Sequence, residues 1–537
     1  MRESLGASSG VKVHKKADHM EGSSGFFLRL GGAVAFAAAT GLSAWFVGNG
    51  LGGVTAAELW FLTASAVVGS YMAMNIGAND VANNMGPAVG AMAITMGGAI
   101  LLAAVFEAAG AIVAGGEVVG TIKGAIIDPR RIAGGEQFIW LMLAALLAGA
   151  LWLNVATWLG APVSTTHSII GAIMGSGIAA GGWGLVNWAT IGAIVASWIL
   201  SPVLGGIAAA AILYGIKRTI TYQDDIGRAA ARVVPLLLAL MAWAFVAYML
   251  MKGLGNVAKF GFAESCLWGG VAGLVAYLLL LRPVRRRMHG NKRSKEAVND
   301  LFTWPLVCSA ALLSFAHGAN DVANAVGPLA AIYEAVVGGV VAAKANTPIW
   351  VMLLGASGLA VGLALFGARL IRIVGKEITD LDHMRAYSIA MASALTVILA
   401  SQLGMPISTT HVSIGAVIGV GFLRELLKAN YAKMESVIRA GHVGRELIEV
   451  EEYLKKFEAA TVEEKQAIVA EMKRRAKELG EEEPFDKKER KAFKKVAKKE
   501  LVKRSVLMRI VAAWIITVPA TALLSAGVYT VLVWLLA

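Results

Sequence analysis

Eleven long apolar runs constrain this chain more than any other feature. They lie near 29–48, 57–76, 97–115, 138–158, 186–215, 233–251, 262–281, 303–317, 349–367, 387–402 and 506–536. Most approach the roughly 20 apolar residues that an α-helix needs to cross hydrocarbon. Lipid offers no water to backbone N–H and C=O groups, so only helices and closed barrels cross it. The alternating polar and apolar strands of a barrel are absent. Two further runs, 162–182 and 406–423, are apolar but open on Pro-x-Ser-Thr-Thr-His. The chain therefore reads as an all-α polytopic membrane protein of about 12–13 transmembrane helices.

Charge supports that reading. Charged residues are 16% of the chain, below the roughly 25% of a soluble domain. A net charge of +13 in a soluble protein would point to nucleic acid. Here the basic residues gather between apolar runs: Lys217, Arg218, Arg228 and Arg232; then Arg282, Arg285, Arg286, Arg287, Lys292, Arg293 and Lys295; then Arg369, Arg372, Lys376 and Arg385. That is the positive-inside pattern, and it argues against a nucleic-acid partner. Two cysteines, Cys266 and Cys308, allow neither a disulfide framework nor a metal ligand set.

The strongest organisational signal is a duplication. Gly77-Ala78-Asn79-Asp80-Val81-Ala82-Asn83 recurs as Gly318-Ala319-Asn320-Asp321-Val322-Ala323-Asn324, and each copy runs on to a Gly-Pro pair, Gly86-Pro87 and Gly327-Pro328. Pro162-Val163-Ser164-Thr165-Thr166-His167 recurs as Pro406-Ile407-Ser408-Thr409-Thr410-His411. Ser197-Trp198 with Pro202 loosely matches Ala513-Trp514 with Pro519. The expected organisation is a polar tail at 1–28, an extra span at 29–56, a first repeat at 57–215 and connecting spans with a basic loop at 216–302. The second repeat follows at 303–423, then a soluble charged helical insert at 424–505 and a final span at 506–537. The insert has heptad-like spacing at Val450, Tyr453, Leu454 and Phe457. If each Ser-Thr-Thr-His segment crosses the membrane, the tail, the basic loops and the insert share one side. The positive-inside rule then favours two inverted repeats. The run 329–343 is left as a re-entrant continuation of the second motif.

The motifs carry complementary chemistry. A carboxylate inside an apolar span is costly and marks a functional site by default. Gly77, Gly86, Pro87 and Pro328 predict unwinding there. Freed carbonyls with Asn79, Asp80, Asn83, Asn320, Asp321 and Asn324 would form an oxygen-only cage, which suits Na⁺ over a soft metal. Helix capping is the plainer alternative, but a cap does not demand seven identical residues. In Pro-x-Ser-Thr-Thr-His, proline suits a first helical turn. Ser164, Thr165, Thr166 and Ser408, Thr409, Thr410 then offer hydroxyls and free N–H groups at two positive helix ends, enough to grip a tetrahedral oxyanion. His167 and His411 read equally as proton relays and as packing residues. His317 precedes the second motif where the first has Ile76, so symmetry gives it no support. Glu107 stands in an apolar run with no counterpart in the other half. Two aspartates beside an anion, with no Lys or Arg in either motif, would be prohibitive without cations. Anion and cation should therefore bind together.

The duplicated motifs resemble the signatures of the inorganic phosphate transporter family of cation-coupled symporters, over about 57 to the C-terminus. The resemblance implies phosphate moved with Na⁺ or H⁺, a substrate site where inverted repeats meet, and broken or re-entrant helices around it. It also implies a homodimer in the cell (plasma or inner) membrane and no cofactor beyond the transported ions. Phosphate ligands map to Ser164, Thr165, Thr166, Ser408, Thr409 and Thr410. Cation ligands map to Asn79, Asp80, Asn320 and Asp321, with Asn83 and Asn324 nearby. The extra span at 29–48 and the late position of the insert depart from the family. A sulfate or other oxyanion permease of the same fold is the alternative, followed by an anion channel and an intramembrane hydrolase. A hydrolase has no use for paired sites, and an enzyme is not expected. No nucleotide-binding P-loop is present.

Overall fold

The computed structural model describes residues 23–536, except 125, 129–130, 133–134, 224, 254–259, 289–294, 339–346, 378–380 and most of 427–503. Most of the polar tail and of the charged insert thus lies outside the described residues. In chain order the helices are α1 (Ser23–Asn49), α2 (Ala56–Gly90), α3 (Met96–Ala114), α4 (Gly116–Gly124), α5 (Gly135–Leu159) and α6 (Thr165–Gly181). There follow α7 (Trp188–Ile216), α8 (Ile226–Tyr248), α9 (Phe262–Met288), α10 (Lys295–Leu301), α11 (Thr303–Asp321) and α12 (Ala323–Gly338). The last are α13 (Ile349–Phe366), α14 (Ala368–Glu377), α15 (His383–Gln402), α16 (Thr409–Leu426) and α17 (Arg504–Leu536). Among the described residues the one β feature is an isolated bridge between Ile127 and Val186.

Among the described residues, eleven helical segments are long and apolar enough to cross a membrane. They fall on the eleven apolar runs. The span at Glu296–Gly338 joins α10, α11 and α12, so the run 329–343 is helical as far as Gly338, and 339–343 lies outside the described residues. Capping residues set several helix starts. Thr55 and Glu58 form a reciprocal capping box at α2, while Asn187, Asp225 and Asp382 cap α7, α8 and α15. Each satisfies an N–H that the helix itself leaves unpaired.

Burial sorts the spans into an inner and an outer set. Only 17% of the α1 and α9 spans is buried, against 72% for α5 and α15. Large apolar side chains such as Trp158, Leu279, Leu523 and Trp534 point outward, as a lipid-facing surface requires.

Two compact units make up the chain, Met1–Gly419 with Ser505–Ala537, and Val420–Arg504. Within the second, Val450, Leu454 and Phe457 are buried with Val469, Met472, Phe485 and Phe493, and Tyr453 packs against them.

The unwinding expected at the first motif does not occur. Helix α2 runs unbroken through Gly77, Gly86 and Pro87. The second motif has a single non-helical residue, Val322, between α11 and α12, with Pro328 inside α12. The glycines serve close approach instead. A Cβ on Gly77 would stand 2.0 Å from the Leu359 carbonyl oxygen of α13, and one on Gly318 would stand 2.0 Å from that of Glu107 on α3. The reverse contacts also match: a Cβ on Gly362 would stand 1.9 Å from the Met74 carbonyl oxygen, and one on Gly110 would stand 1.9 Å from that of Phe315. Backbone-to-backbone seams of this kind need small residues, as membrane helix pairs generally do. They also align Glu107 with Leu359 across the duplication.

The Ser-Thr-Thr-His helices use the same device across the halves. Gly171 and Gly175 of α6 abut Val518 and Ala522 of α17, and Gly415 and Gly419 of α16 abut Pro202 and Gly206 of α7. Each of these helices therefore has a close partner in the opposite half.

Candidate functional site

Helices α2, α6, α11, α12 and α16 bring the duplicated motifs together at one buried centre. Asp80 and Asp321 are fully buried, and each accepts hydroxyls from both copies of Ser-Thr-Thr-His. Asp80 Oδ2 accepts from Thr165 at 2.9 Å and Oδ1 from Thr410 at 2.9 Å. Asp321 Oδ2 accepts from Thr409 at 2.6 Å and Oδ1 from Thr166 at 3.2 Å. Thr166 also lies 3.1 Å from the Ile407 carbonyl, and Thr410 lies 3.3 Å from that of Val163. The network is thus its own mirror in the duplicated sequence. The second threonine of each motif crosses to the other half.

The asparagines tie this network to the backbone. Asn83 Nδ2 donates to Thr410 at 2.9 Å, and Asn324 Nδ2 donates to Thr165 and Thr166 at 3.2 and 3.3 Å. Asn79 holds the chain ahead of α6 through Ala161 O and the Val163 N–H. Asn320 donates to Ile407 O at 3.0 Å ahead of α16 and to Asp321 at 3.1 Å.

Pro162 does not occupy a first helical turn. Helix α6 begins at Thr165, and Ser164 is its cap, accepting the His167 N–H at 3.1 Å. Ser408 does the same for His411 at 3.2 Å. A serine at the cap accepts the N–H three residues on, which proline, with no side-chain oxygen, cannot do. One of the N–H groups expected to be free for an anion is therefore spent at each end. The hydroxyl protons of Thr165 and Thr409 go to the two aspartates, while those of Thr166 and Thr410 each have an aspartate and a backbone carbonyl as acceptors.

His167 and His411 meet each other, ring centroids 4.3 Å apart and nearly perpendicular. Each also lies 3.7 Å from a tryptophan ring, Trp198 and Trp514 respectively. These pairs match Trp198 to Trp514 in the duplication.

His317, to which symmetry lends no support, and Glu107, which has no counterpart in the other half, both belong to the centre. His317 is fully buried, its Nε2 3.0 Å from Asp321 Oδ2 and 3.6 Å from Asp80 Oδ2. Its Nδ1 lies 3.2 Å from Glu107 Oε1, which also accepts from Asn84 at 2.8 Å. Glu107 is thus no isolated carboxylate. Three buried carboxylates surround one imidazole, a cluster whose charge must be offset by protons or by a bound cation. Buried acceptors without a donor, Asn83 Oδ1, Asn84 Oδ1 and Glu107 Oε2, are the lone pairs that a hard cation takes.

Comparisons with known proteins agree on one family. Residues 76–525 match the model of the phosphate transporter family. A Helicobacter pylori protein named "Putative phosphate permease" is 50% identical over 478 residues, covering 88% of this chain and 90% of that one. A Pyrococcus horikoshii protein of similar name is 39% identical over 379 residues, covering 70% of this chain and 92% of that one. A solved structure named "The sodium-dependent phosphate transporter" superposes with a TM-score of 0.72 at 33% identity, over 89% of this chain and all of that one.

Proposed function

We propose, since this chain belongs to the phosphate transporter family, that it is a secondary active symporter carrying inorganic phosphate together with Na⁺. The chain is a multi-pass membrane transporter and not an enzyme, which ends the hydrolase reading. The observation that carries the proposal is the sharing of four threonine hydroxyls by two buried aspartates.

A threonine hydroxyl has one proton to donate. While Asp80 and Asp321 lack a cation, they draw the protons of Thr165 and Thr409 and compete with the Ile407 and Val163 carbonyls for those of Thr166 and Thr410. Phosphate brought beside bare carboxylates in a low-dielectric centre would be repelled. A cation seated on the aspartates offsets their charge, and the hydroxyls can then turn to phosphate oxygens. Each ligand completes the other's site, and such coupling is reciprocal. Oxygen donors from Asn79, Asp80, Asn83, Asn320, Asp321 and Asn324 favour Na⁺. The solved neighbour, named for its sodium dependence, supports the same ion. Inverted halves, a homodimer and a place in the cell membrane complete the reading, supported by the loop charges and the family resemblance.

The test is radiolabelled phosphate uptake into proteoliposomes under an inward Na⁺ gradient or an inward H⁺ gradient, with excess sulfate as competitor. Uptake that needs Na⁺ and resists sulfate supports the proposal. Uptake driven by H⁺ alone moves coupling to protonation, and full block by sulfate changes the substrate.

A further inference from the structure

The spans Trp188–Thr221, Glu296–Gly338 and His383–Gln402 each have one end at the same place. A cavity of about 450 Å³ opens there, between the end of α7, helix α10 and the start of α15. Sites for small ligands run from about 300 to 1,000 Å³. Three spans that end together set this one at a membrane face, at the depth of lipid headgroups. The flanking sequence agrees. Tyr222 and Trp304 are exposed beside lining residues, as interfacial aromatics are. The basic stretches 217–232, 282–295 and 369–385 each begin or end at it, which assigns it to the positive, cytoplasmic face.

Its lining carries both charges. Lys217 and Arg385 supply two cations, and Glu296, Asp300 and Asp382 supply three carboxylates. The charges are sorted by wall. Lys217 and Thr221 lie on the π-helical turn that ends α7, while Glu296 and Asp300 are four residues apart on α10, on one helical face. Asp382 caps α15 through the Arg385 N–H at 2.9 Å and lies 3.4 Å from Arg385 Nε, so these two offset each other. A simple anion meets the surplus of carboxylates, and a simple cation meets Lys217. A zwitterion with its charges held apart meets neither obstacle. The wall between α10 and α15 is pinned from behind. His383 Nδ1 is 3.0 Å from Thr303 Oγ1, and its Nε2 is 3.0 Å from the Ala91 carbonyl oxygen at the end of α2.

We propose that this cavity binds the headgroup of a phospholipid carrying a primary amine, of which an ethanolamine lipid is the simplest. The phosphodiester accepts from Lys217 and Thr221, and the ammonium donates to Glu296 and Asp300. A primary ammonium has three N–H donors, enough for both carboxylates, whereas a choline headgroup has none. A glycerol headgroup leaves both carboxylates without counter-charge. Leu213 and Met384 give the cavity its apolar part. The bound lipid braces α7 against α10 and α15, which run on to Asp321 in α11 and to Ser408 ahead of α16. None of the lining residues belongs to the duplicated motifs, so the inference stands apart from the phosphate reading.

The test uses purified full-length protein stripped of lipid in detergent. Mixed micelles offer it phosphatidylethanolamine, phosphatidylcholine or phosphatidylglycerol of matched acyl chains, and a separate arm offers free phosphoethanolamine. Native mass spectrometry counts bound lipid, and the melting temperature reports stabilisation. One ethanolamine lipid per chain should be retained with a preference of about tenfold over the other two, and the melting temperature should rise with it. Equal retention of the three lipids overturns the proposal. The double variant Glu296→Gln, Asp300→Asn should hold ethanolamine and choline lipids alike, and a preference unchanged in it overturns the proposal. If that variant does not fold, Lys217→Gln takes its place, and an unchanged affinity for the ethanolamine lipid overturns it. Stabilisation by free phosphoethanolamine equal to that by the lipid overturns the lipid assignment in favour of a soluble amine phosphate.

Discussion

Replacing Thr410 by valine removes one hydroxyl and almost no volume, and the consequence can be worked from its contacts. The hydroxyl donates to Asp80 Oδ1 at 2.9 Å and accepts from Asn83 Nδ2 at 2.9 Å. Both partners are fully buried, so neither can turn to water. A hydrogen bond to a charged group contributes about 1.5–3 kcal/mol. At 1.4 kcal/mol per tenfold, that is about a 10- to 150-fold loss. If the hydroxyl turns to phosphate when a cation takes Asp80, the loss should appear in the phosphate concentration for half-maximal uptake at saturating Na⁺. In equilibrium binding, linkage requires the loss of sodium–phosphate coupling to be the same from either side. The assay is phosphate and Na⁺ titration of uptake in proteoliposomes, with equilibrium binding of each ligand on purified protein. Thr166→Val should behave alike, since Thr166 reaches Asp321 and Ile407 O as Thr410 reaches Asp80 and Val163 O. A lower melting temperature with both half-saturation values within threefold of the parent would refute the reasoning. The network would then be structural only.

Other outcomes follow from the same geometry. Asp80→Asn should lose most of its dependence on Na⁺ while eluting as a monodisperse protein, and sodium-dependent kinetics like those of the parent would remove Asp80 from the cation site. Gly77→Ala and Gly318→Ala place a methyl group 2.0 Å from a backbone oxygen. Overpacking of this kind costs about 1–3 kcal/mol or more, and a fall in melting temperature or yield should follow, whereas Gly270→Ala, with nothing within 4 Å, should match the parent. His167→Phe keeps a ring against Trp198 and His411, so uptake with an unchanged pH profile is expected if the ring packs; a flattened profile would assign it to proton relay.

The membrane architecture was readable because hydrocarbon tolerates so little: each apolar run long enough to span became a helix of that place. The site motifs were readable because they occur twice. That same reliance on repetition hid His317 and Glu107. His317 and Glu107 each occur in one half only, and His317 meets Asp80 of α2 and Glu107 of α3, both more than two hundred residues before it in the chain. Nothing in linear order joins Glu107 to His317. Gly77 and Gly86 were misread for a related reason. Glycine breaks helices in water, but inside a packed bundle it also lets two helices touch, and only the neighbours, Leu359 for Gly77 and Val374 with Gly375 for Gly86, distinguish the uses. Ser164 taking the cap that Pro162 seemed to announce is a local competition that composition does not decide.

The seams between α6 and α17 have a consequence for biogenesis. Gly171 and Gly175 rest on Val518 and Ala522, the far end of the chain. The first Ser-Thr-Thr-His helix enters the bilayer long before its seat has been translated. A ribosome adding about 5–20 residues per second leaves that helix, hydroxyls and all, waiting tens of seconds in lipid. During that interval the nascent first half holds Asp80 without the Thr410 that will later cap it. Truncation just before the last span therefore removes more than one helix: it takes away the seat against which α6 holds Thr165 and Thr166 toward Asp80 and Asp321.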